Sequence, residues 1–403
     1  MKICHVITRC IVGGAQENTL ATVLGLARRG HEVTLITGPS RGREGCLLDL
    51  LGMDERALFT VIEEPHLVRQ PHPWHDLQAY VRLRRHFLAA RYDVIHSHSS
   101  KAGVLVRLAA RGVRRHGTLV IHTIHGLAFD TLQPWYRNAT YIALERLCAR
   151  HADVLISVCD AMTRQARAAG VGRPGQFRTI YSGMELEAFR SAGERRAEMR
   201  ATCGWSGDEI VLVHIGRLAP MKGADDFLTA VRVARDQSRR VRALVIGDGP
   251  QRAALERRAA RELPAQTVYW AGLVSPQEIP RWLAAADVLV HASLREGLAR
   301  AVVQALAAGV PVVTYDAGGV REVAAHDVNS RVCALGDTKA LVREVCEVVS
   351  DDVLRARLAA GARATNLDRF SATYMIERIT ECYTHVREAH SLPPSDGSRK
   401  APA

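Results

Sequence analysis

From end to end this chain alternates short apolar runs with helix-period stretches, and that rhythm admits few folds. Runs too short for buried helices, each leading through a turn into an amphipathic segment, are strands of parallel sheets joined by crossover helices. In the first half the strands are expected at Lys2–Thr8, Glu32–Thr37, Asp93–Ser97, Leu119–Thr123, Asp153–Ser157 and Arg178–Tyr181. In the second half they are expected at Glu209–Ile215, Arg242–Ile246, Thr267–Trp270, Asp287–His291 and Pro311–Tyr315. Helices fill the gaps, as at Ala15–Arg29, which stops at Gly30, and at Arg137–Arg150. A polar stretch from Ser182 to Asp208 shows no strand pattern. The 403 residues are too many for one core, so the reading is two doubly wound α/β domains facing each other. The first covers 1–190 and a connection covers 191–208. The second covers 209–370, a helix at 371–390 returns to the first domain, and 391–403 is expected to be a disordered tail.

No window approaches about 18 uninterrupted apolar residues, which excludes a membrane-spanning helix. MKICHVITRCIVGG does not read as a signal peptide, and nine single cysteines without a CxxC pair read as reduced thiols. A cytoplasmic location is expected. The formal charge of +12 rests on 49 Arg and only 5 Lys. An arginine bias of that kind follows genome composition, and the motifs of nucleic-acid readers are absent, so no nucleic-acid partner is expected. Between Gln78 and Arg115 there are nine Arg/Lys and one acid, Asp93. That segment contains YVRLRRHFLAARY, an amphipathic basic pattern, from which docking of the first domain on an anionic membrane surface is expected.

Open parallel sheets bind ligands at the carboxyl ends of their strands. IVGGAQEN follows the first strand, and Gly13 and Gly14 let the backbone approach a ligand at a helix N-terminus, where free N–H groups favour anions. It is not GxGxxG, and no acid stands where a nicotinamide dinucleotide would need one. HIGRLAPMKGADDF places Arg217 and Lys222 at a strand end, two cations able to clamp a diphosphate without a metal. VIGDGPQR repeats the strand–glycine–helix turn. In HASLREGLARAVVQALAAGVPVVTYDAGGVREV, Glu296 and Gly297 are read as opening an apolar helix, with Gln304 two turns along it.

Together these strings resemble the family 4 retaining glycosyltransferases, which have the GT-B fold of two Rossmann-like domains. The resemblance runs through GRLAPMKG, GDGP, AGLVS, AAADVLVHASLREGL, ALAAGVPVV and AGGVREV in order. In the first half it runs through VGGAQ, RGHEVTLITG, DVIHSHSSKAG and HTIHGLAFD. It implies a hexosyltransferase that uses a nucleoside diphosphate sugar as substrate, needs no metal or other cofactor, and acts on a glycan or lipid-linked acceptor. Arg217 and Lys222 match the pair that neutralises the leaving diphosphate, and Glu296 matches the acid facing the donor sugar. Gly297, Leu298 and Ala299 would hold sugar and phosphate through their backbone, and Gly272, Leu273 and Val274 would meet the base. His125 matches the histidine beside the transferred sugar, and Gly14 the glycine over the phosphates. The second acid of the family's Glu-x7-Glu pattern, which binds the ribose, is Gln304 here. Gln keeps a hydrogen bond but loses charge assistance, a difference of about 1 kcal/mol. Ser182-Gly183 likewise stands where Asn-Gly is common.

His96, His98, His122 and His125 have metal-like spacing on neighbouring strands, and alternation puts His96 and His98 on one face. No cysteine or acid completes a shell, so no metal site is assigned. His98, Ser99, Ser100 and Lys101 are read instead as the acceptor side of the cleft. Two other functions remain open on sequence: a nucleotide-sugar-binding protein weakened by Gln304, and a nucleotide-sugar 2-epimerase, which lacks the GRLAPMKG and SLREGL strings.

Overall fold

A computed structural model of the chain describes residues 1–40 and 44–391. The proposed tail, past its first residue, lies outside the described residues. Strands β1 (Lys2–Arg9), β2 (Glu32–Gly38), β3 (Thr60–Glu63), β4 (Val94–His98), β5 (Leu119–Ile124), β6 (Val154–Ser157) and β7 (Phe177–Thr179) form one parallel sheet. Its order is β3-β2-β1-β4-β5-β6-β7. Strands β8 (Ile210–Ile215), β9 (Val241–Ile246), β10 (Val268–Gly272), β11 (Val288–His291), β12 (Val312–Tyr315) and β13 (Ser330–Cys333) form the second, in the order β10-β9-β8-β11-β12-β13. Central strands such as β5 and β8 are buried along their whole length because helices cover both faces, which is why they read as unbroken apolar runs.

The chain order reverses between β1 and β4 in one sheet and between β8 and β11 in the other. At such reversals the adjoining loops diverge to opposite faces and leave a crevice beyond the strand ends. Both crevices open into the same cleft.

The expected strands lie where the alternation puts them, shifted by a residue or two at their ends. Two are additional: β3, with the half-exposed pattern of an edge strand, and β13. The stretch from Ser182 to Asp208 has no named strand, yet it is no loose linker. It carries the short helices Glu187–Arg190 and Arg196–Thr202 and buries Phe189, Met199 and Trp205. Arg200 is buried there with its guanidinium on Asp287 at 2.6 Å and on the carbonyls of Gly207 and Glu209. The last helix, Ala372–Ser391, packs on the helix Gly14–Arg28 of the first sheet, with Ile376 against Gly25. Tyr383 reaches through to His96 at 2.6 Å.

Candidate active site

A cavity of about 930 Å³ lies between the two sets of strand ends. Of the residues singled out in the sequence, Gly14, Ser99, Ser100, Lys101, His125, Arg217, Lys222, Leu273, Val274, Glu296, Gly297, Leu298 and Gln304 line it. Gly272 and Ala299 do not line it. Gly272 accepts a hydrogen bond from the Gly247 N–H, tying two strand-end loops together. The apolar helix begins at Arg300, not at Glu296: residues 296–299 form the loop before it. No side chain caps that helix, and its first turn borders the cavity, leaving N–H groups and the positive end of the helix dipole for an anion.

The Lys222 ammonium donates to Glu296 at 2.7 Å, and the His291 Nε2 lies 3.5 Å from the same carboxylate. Burial alone would raise the Glu296 carboxyl, but Lys222 and His291 hold it well below the usual carboxylate range. Arg217 does not join this pair. It reaches across the cleft to Glu44 at 2.7 Å, and Glu44 also takes Arg9, from the end of β1, at 2.6 Å. Both predicted cations therefore hold carboxylate partners.

Arg300 was not expected at the site. Its guanidinium binds Glu17 at 2.9 Å, Ser182 Oγ at 2.8 Å and the Gly183 carbonyl at 3.0 Å, all in the first half of the chain. A Cβ on Gly14 would sit 2.7 Å from the Arg300 side chain, and one on Gly297 would sit 2.4 Å from the His125 carbonyl oxygen. Glycine at both places lets the two halves meet. Arg9 was legible as a cation at a strand end. Glu44 and Arg300 had no such signal, because what gives them a place is a partner from the other sheet.

His98 does not line the acceptor side. It is fully buried and reaches the cleft only through His125. Its Nδ1 lies 3.1 Å from His125 Nε2, and its Nε2 lies 2.9 Å from His5 Nδ1. Burial keeps these rings neutral: it lowers His5 to about 3, and together with the nearby Arg300 it lowers His125 to about 3. A neutral imidazole has one N–H and one lone pair, so the three tautomers are locked to one another. Among the described residues, His5, His96 and His98 are grouped closely enough to suggest a metal. Hydrogen bonds engage all of these nitrogens except His5 Nε2, which is buried without a partner: His96 is held by Tyr383 and Thr123, and His98 by its two histidine neighbours. The His122 ring is held by Ser97 instead.

Of the basic segment Gln78–Arg115 expected to meet a membrane, the amphipathic part lies mostly in the helix Pro73–Ala90. Its Leu83 and Phe87 are buried against the sheet, while Arg82, Arg84 and Arg85 face outward. The central apolar stripe belongs to the core. Among the described residues no helix is long and apolar enough to cross a membrane.

Residues 13–183 match the family model described as a glycosyl transferase 4-like domain, and residues 195–365 match glycosyl transferases group 1. Two facing parallel sheets with this cleft are the GT-B fold, and both family models are of glycosyltransferases. The chain belongs to the GT-B glycosyltransferases, through both of its halves. EpsD of Bacillus subtilis (strain 168) is 29% identical over 319 residues, covering 78% of this chain and 82% of EpsD. The UDP-Gal:alpha-D-GlcNAc-diphosphoundecaprenol alpha-1,3-galactosyltransferase of Escherichia coli is 25% identical over 391 residues, 95% of this chain and 96% of that enzyme. In fold the chain is similar to Anabaena HepE, solved in complex with UDP and glucose. The TM-score is 0.78 at 22% identity, covering 97% of this chain and 100% of HepE.

Proposed function

We propose that this glycosyltransferase moves a hexosyl unit from a nucleoside diphosphate sugar to an acceptor hydroxyl, with retention of configuration and without a metal, in polysaccharide or glycolipid synthesis. The observation that carries this reading is the Lys222–Glu296 pair at 2.7 Å, beside His125 in a cleft walled by both sheets. Glu296 and His125 take the sugar, and the sugar's C1–O bond to the diphosphate breaks. Arg217, Lys222 and the uncapped helix end at Arg300 stabilise the charge that develops. The acceptor oxygen bonds to C1 from the same face and passes its proton to the departing diphosphate. Leu273 and Val274 face the base, Gln304 the ribose, and Ser99, Ser100 and Lys101 the acceptor.

The Escherichia coli relative is named for a UDP-galactose donor and a diphosphoundecaprenol-linked acceptor, and HepE was solved with UDP and glucose. UDP-hexoses and a lipid-linked glycan are therefore the first substrates to test. The test is UDP release from a panel of UDP-sugars with and without a short-chain polyprenyl-diphosphate glycan, with the product anomer read by proton NMR. Acceptor-dependent release, an unchanged anomer and indifference to EDTA are expected. Loss of activity in EDTA, restored by a divalent ion, overturns the metal-free mechanism; an inverted anomer overturns retention. Gln304 supports one second reading, a nucleotide-sugar-binding protein without turnover. Donor-induced thermal stabilisation with no release from any acceptor would favour it.

A further inference from the structure

A row of three histidines crosses neighbouring strands diagonally, from the core to the cleft. His5 lies within β1, His98 closes β4 and His125 follows β5. His5 Nδ1 stands 2.9 Å from His98 Nε2, and His98 Nδ1 stands 3.1 Å from His125 Nε2. Among the described residues no carboxylate is paired with any of the three, and burial holds all of them neutral. His96 stacks on His98 at 4.3 Å, but Tyr383 and Thr123 engage both of its nitrogens, so it adds no proton to the row.

Three neutral imidazoles carry three N–H groups on six nitrogens. Each of the two contacts takes one proton, because a hydrogen bond between ring nitrogens needs one donor and one acceptor. The third proton therefore sits at an end of the row. One end is His5 Nε2, buried with no partner. The other is His125 Nδ1, which has no hydrogen bond to the described residues, on a ring that lines the cleft. A proton on His5 Nε2 would be a buried N–H without an acceptor, the rarer kind of unpaired group. A proton on His125 Nδ1 meets water or substrate. The charge of Arg300 opposes it there, but Glu17 at 2.9 Å offsets that guanidinium. We propose that His5 and His98 fix the tautomer of His125, so that all three rings carry their proton on Nδ1 and His125 offers the cleft a hydrogen-bond donor and no base. His5 and His98 are positioning residues, since neither lines the cleft. The use of that donor rests on the reading of His125 beside the transferred sugar. An N–H there takes an oxygen lone pair of the sugar and cannot remove the proton of the acceptor hydroxyl, which leaves with the diphosphate.

The test is long-range proton–nitrogen-15 NMR of the full chain labelled in histidine, near neutral pH and without donor or acceptor. His5, His98 and His125 are each expected to be protonated on Nδ1 and bare on Nε2. A bare His125 Nδ1, or a charged ring anywhere in the row, overturns the proposal. Two variants separate orientation from packing. The amide nitrogen of asparagine can stand where an imidazole Nδ1 stands, and that of glutamine where Nε2 stands. His98→Asn can still donate to His125 Nε2, and should keep the His125 signature with turnover within about tenfold of the wild type. His98→Gln should lose that signature and about 10²-fold in kcat. UDP affinity should be unchanged in both. Equal losses in the two variants, with the His125 signature unmoved, overturn the proposal; should either fail to fold, the wild-type spectrum still decides. The signature is read without substrate. A chain protonated as expected that transfers no sugar therefore removes the glycosyl-transfer reading and leaves the row intact.

Discussion

Lys222 and Arg217 are both cations at one strand end, but their removal leaves different remainders. Lys222→Ala leaves Glu296, whose side chain is only 13% exposed, with His291 alone beside it, whereas Arg217→Ala leaves the more accessible Glu44 still paired with Arg9. Both should cut kcat by about 10²-fold or more, and only Lys222→Ala should also lower the melting temperature measurably. Near-normal turnover in both variants would remove the diphosphate clamp. Glu296→Ala is expected to abolish turnover almost completely. Gln304→Ala should raise donor KM at nearly constant kcat, because the ribose contact proposed for it would be present in ground and transition states alike. Steady-state kinetics on the two variants checks the split. His98 acts through His125, so His98→Gln should lower kcat while donor Kd stays put, and should change the nitrogen-15 tautomer signature of His125. An unchanged signature would leave His98 a packing residue only.

At the scale of elements, the loop before the Arg300–Ala307 helix has the least room to vary. Gly297→Ala would drive a methyl into the His125 carbonyl, so transfer should fall by about 10²-fold, the scale of a misplaced reacting group, with the circular dichroism spectrum unchanged. Such loops were legible because strand, glycine and cation follow one another along the chain, as at Ile215, Gly216 and Arg217. Two of the four edge strands were not. Thr60–Glu63 and Ser330–Cys333 are short and mixed in polarity, because an edge strand need not be apolar on both faces. The first turn of the Arg300–Ala307 helix was also misread, since Glu296 and Gly297 look like a helix opening and serve as a loop held by Gly319. His98 was placed on the acceptor side of the cleft because alternation tells which face of a strand a ring takes, and not how deep that face lies. The partners of Arg217 and Arg300 come from more than 100 residues away along the chain, where no local pattern points to them.

For the whole molecule, the neutral histidines set a limit on acid stability. Burial lowers His5, His125 and His214 to about 3, and holds His96, His98 and His122 well below the ordinary value. The unfolded chain binds these protons near pH 6.5 and the folded one does not. Stability is therefore full above about pH 6.5 and is lost as pH falls toward 3, by about 1.4 kcal/mol per pH unit for each histidine. The melting temperature should drop steeply between pH 7 and pH 5, and a flat profile there would mean the rings are charged or solvated in the folded state. The contacts between the halves are also unevenly distributed. On one side Gly297 abuts His125, the Glu322 carboxylate accepts from the N–H groups of Asp160 and Ala161 at 2.9 and 2.7 Å, and Arg300 grips Glu17 and Ser182. Elsewhere the carboxylate of Glu44 spans from Arg9 to Arg217, with Leu273 facing Gly45 nearby, and Arg295 pairs with Asp130 at 2.9 Å. A diphosphate that takes Arg217 would displace Glu44, so binding the donor and releasing this bridge between the halves would be one exchange of anions.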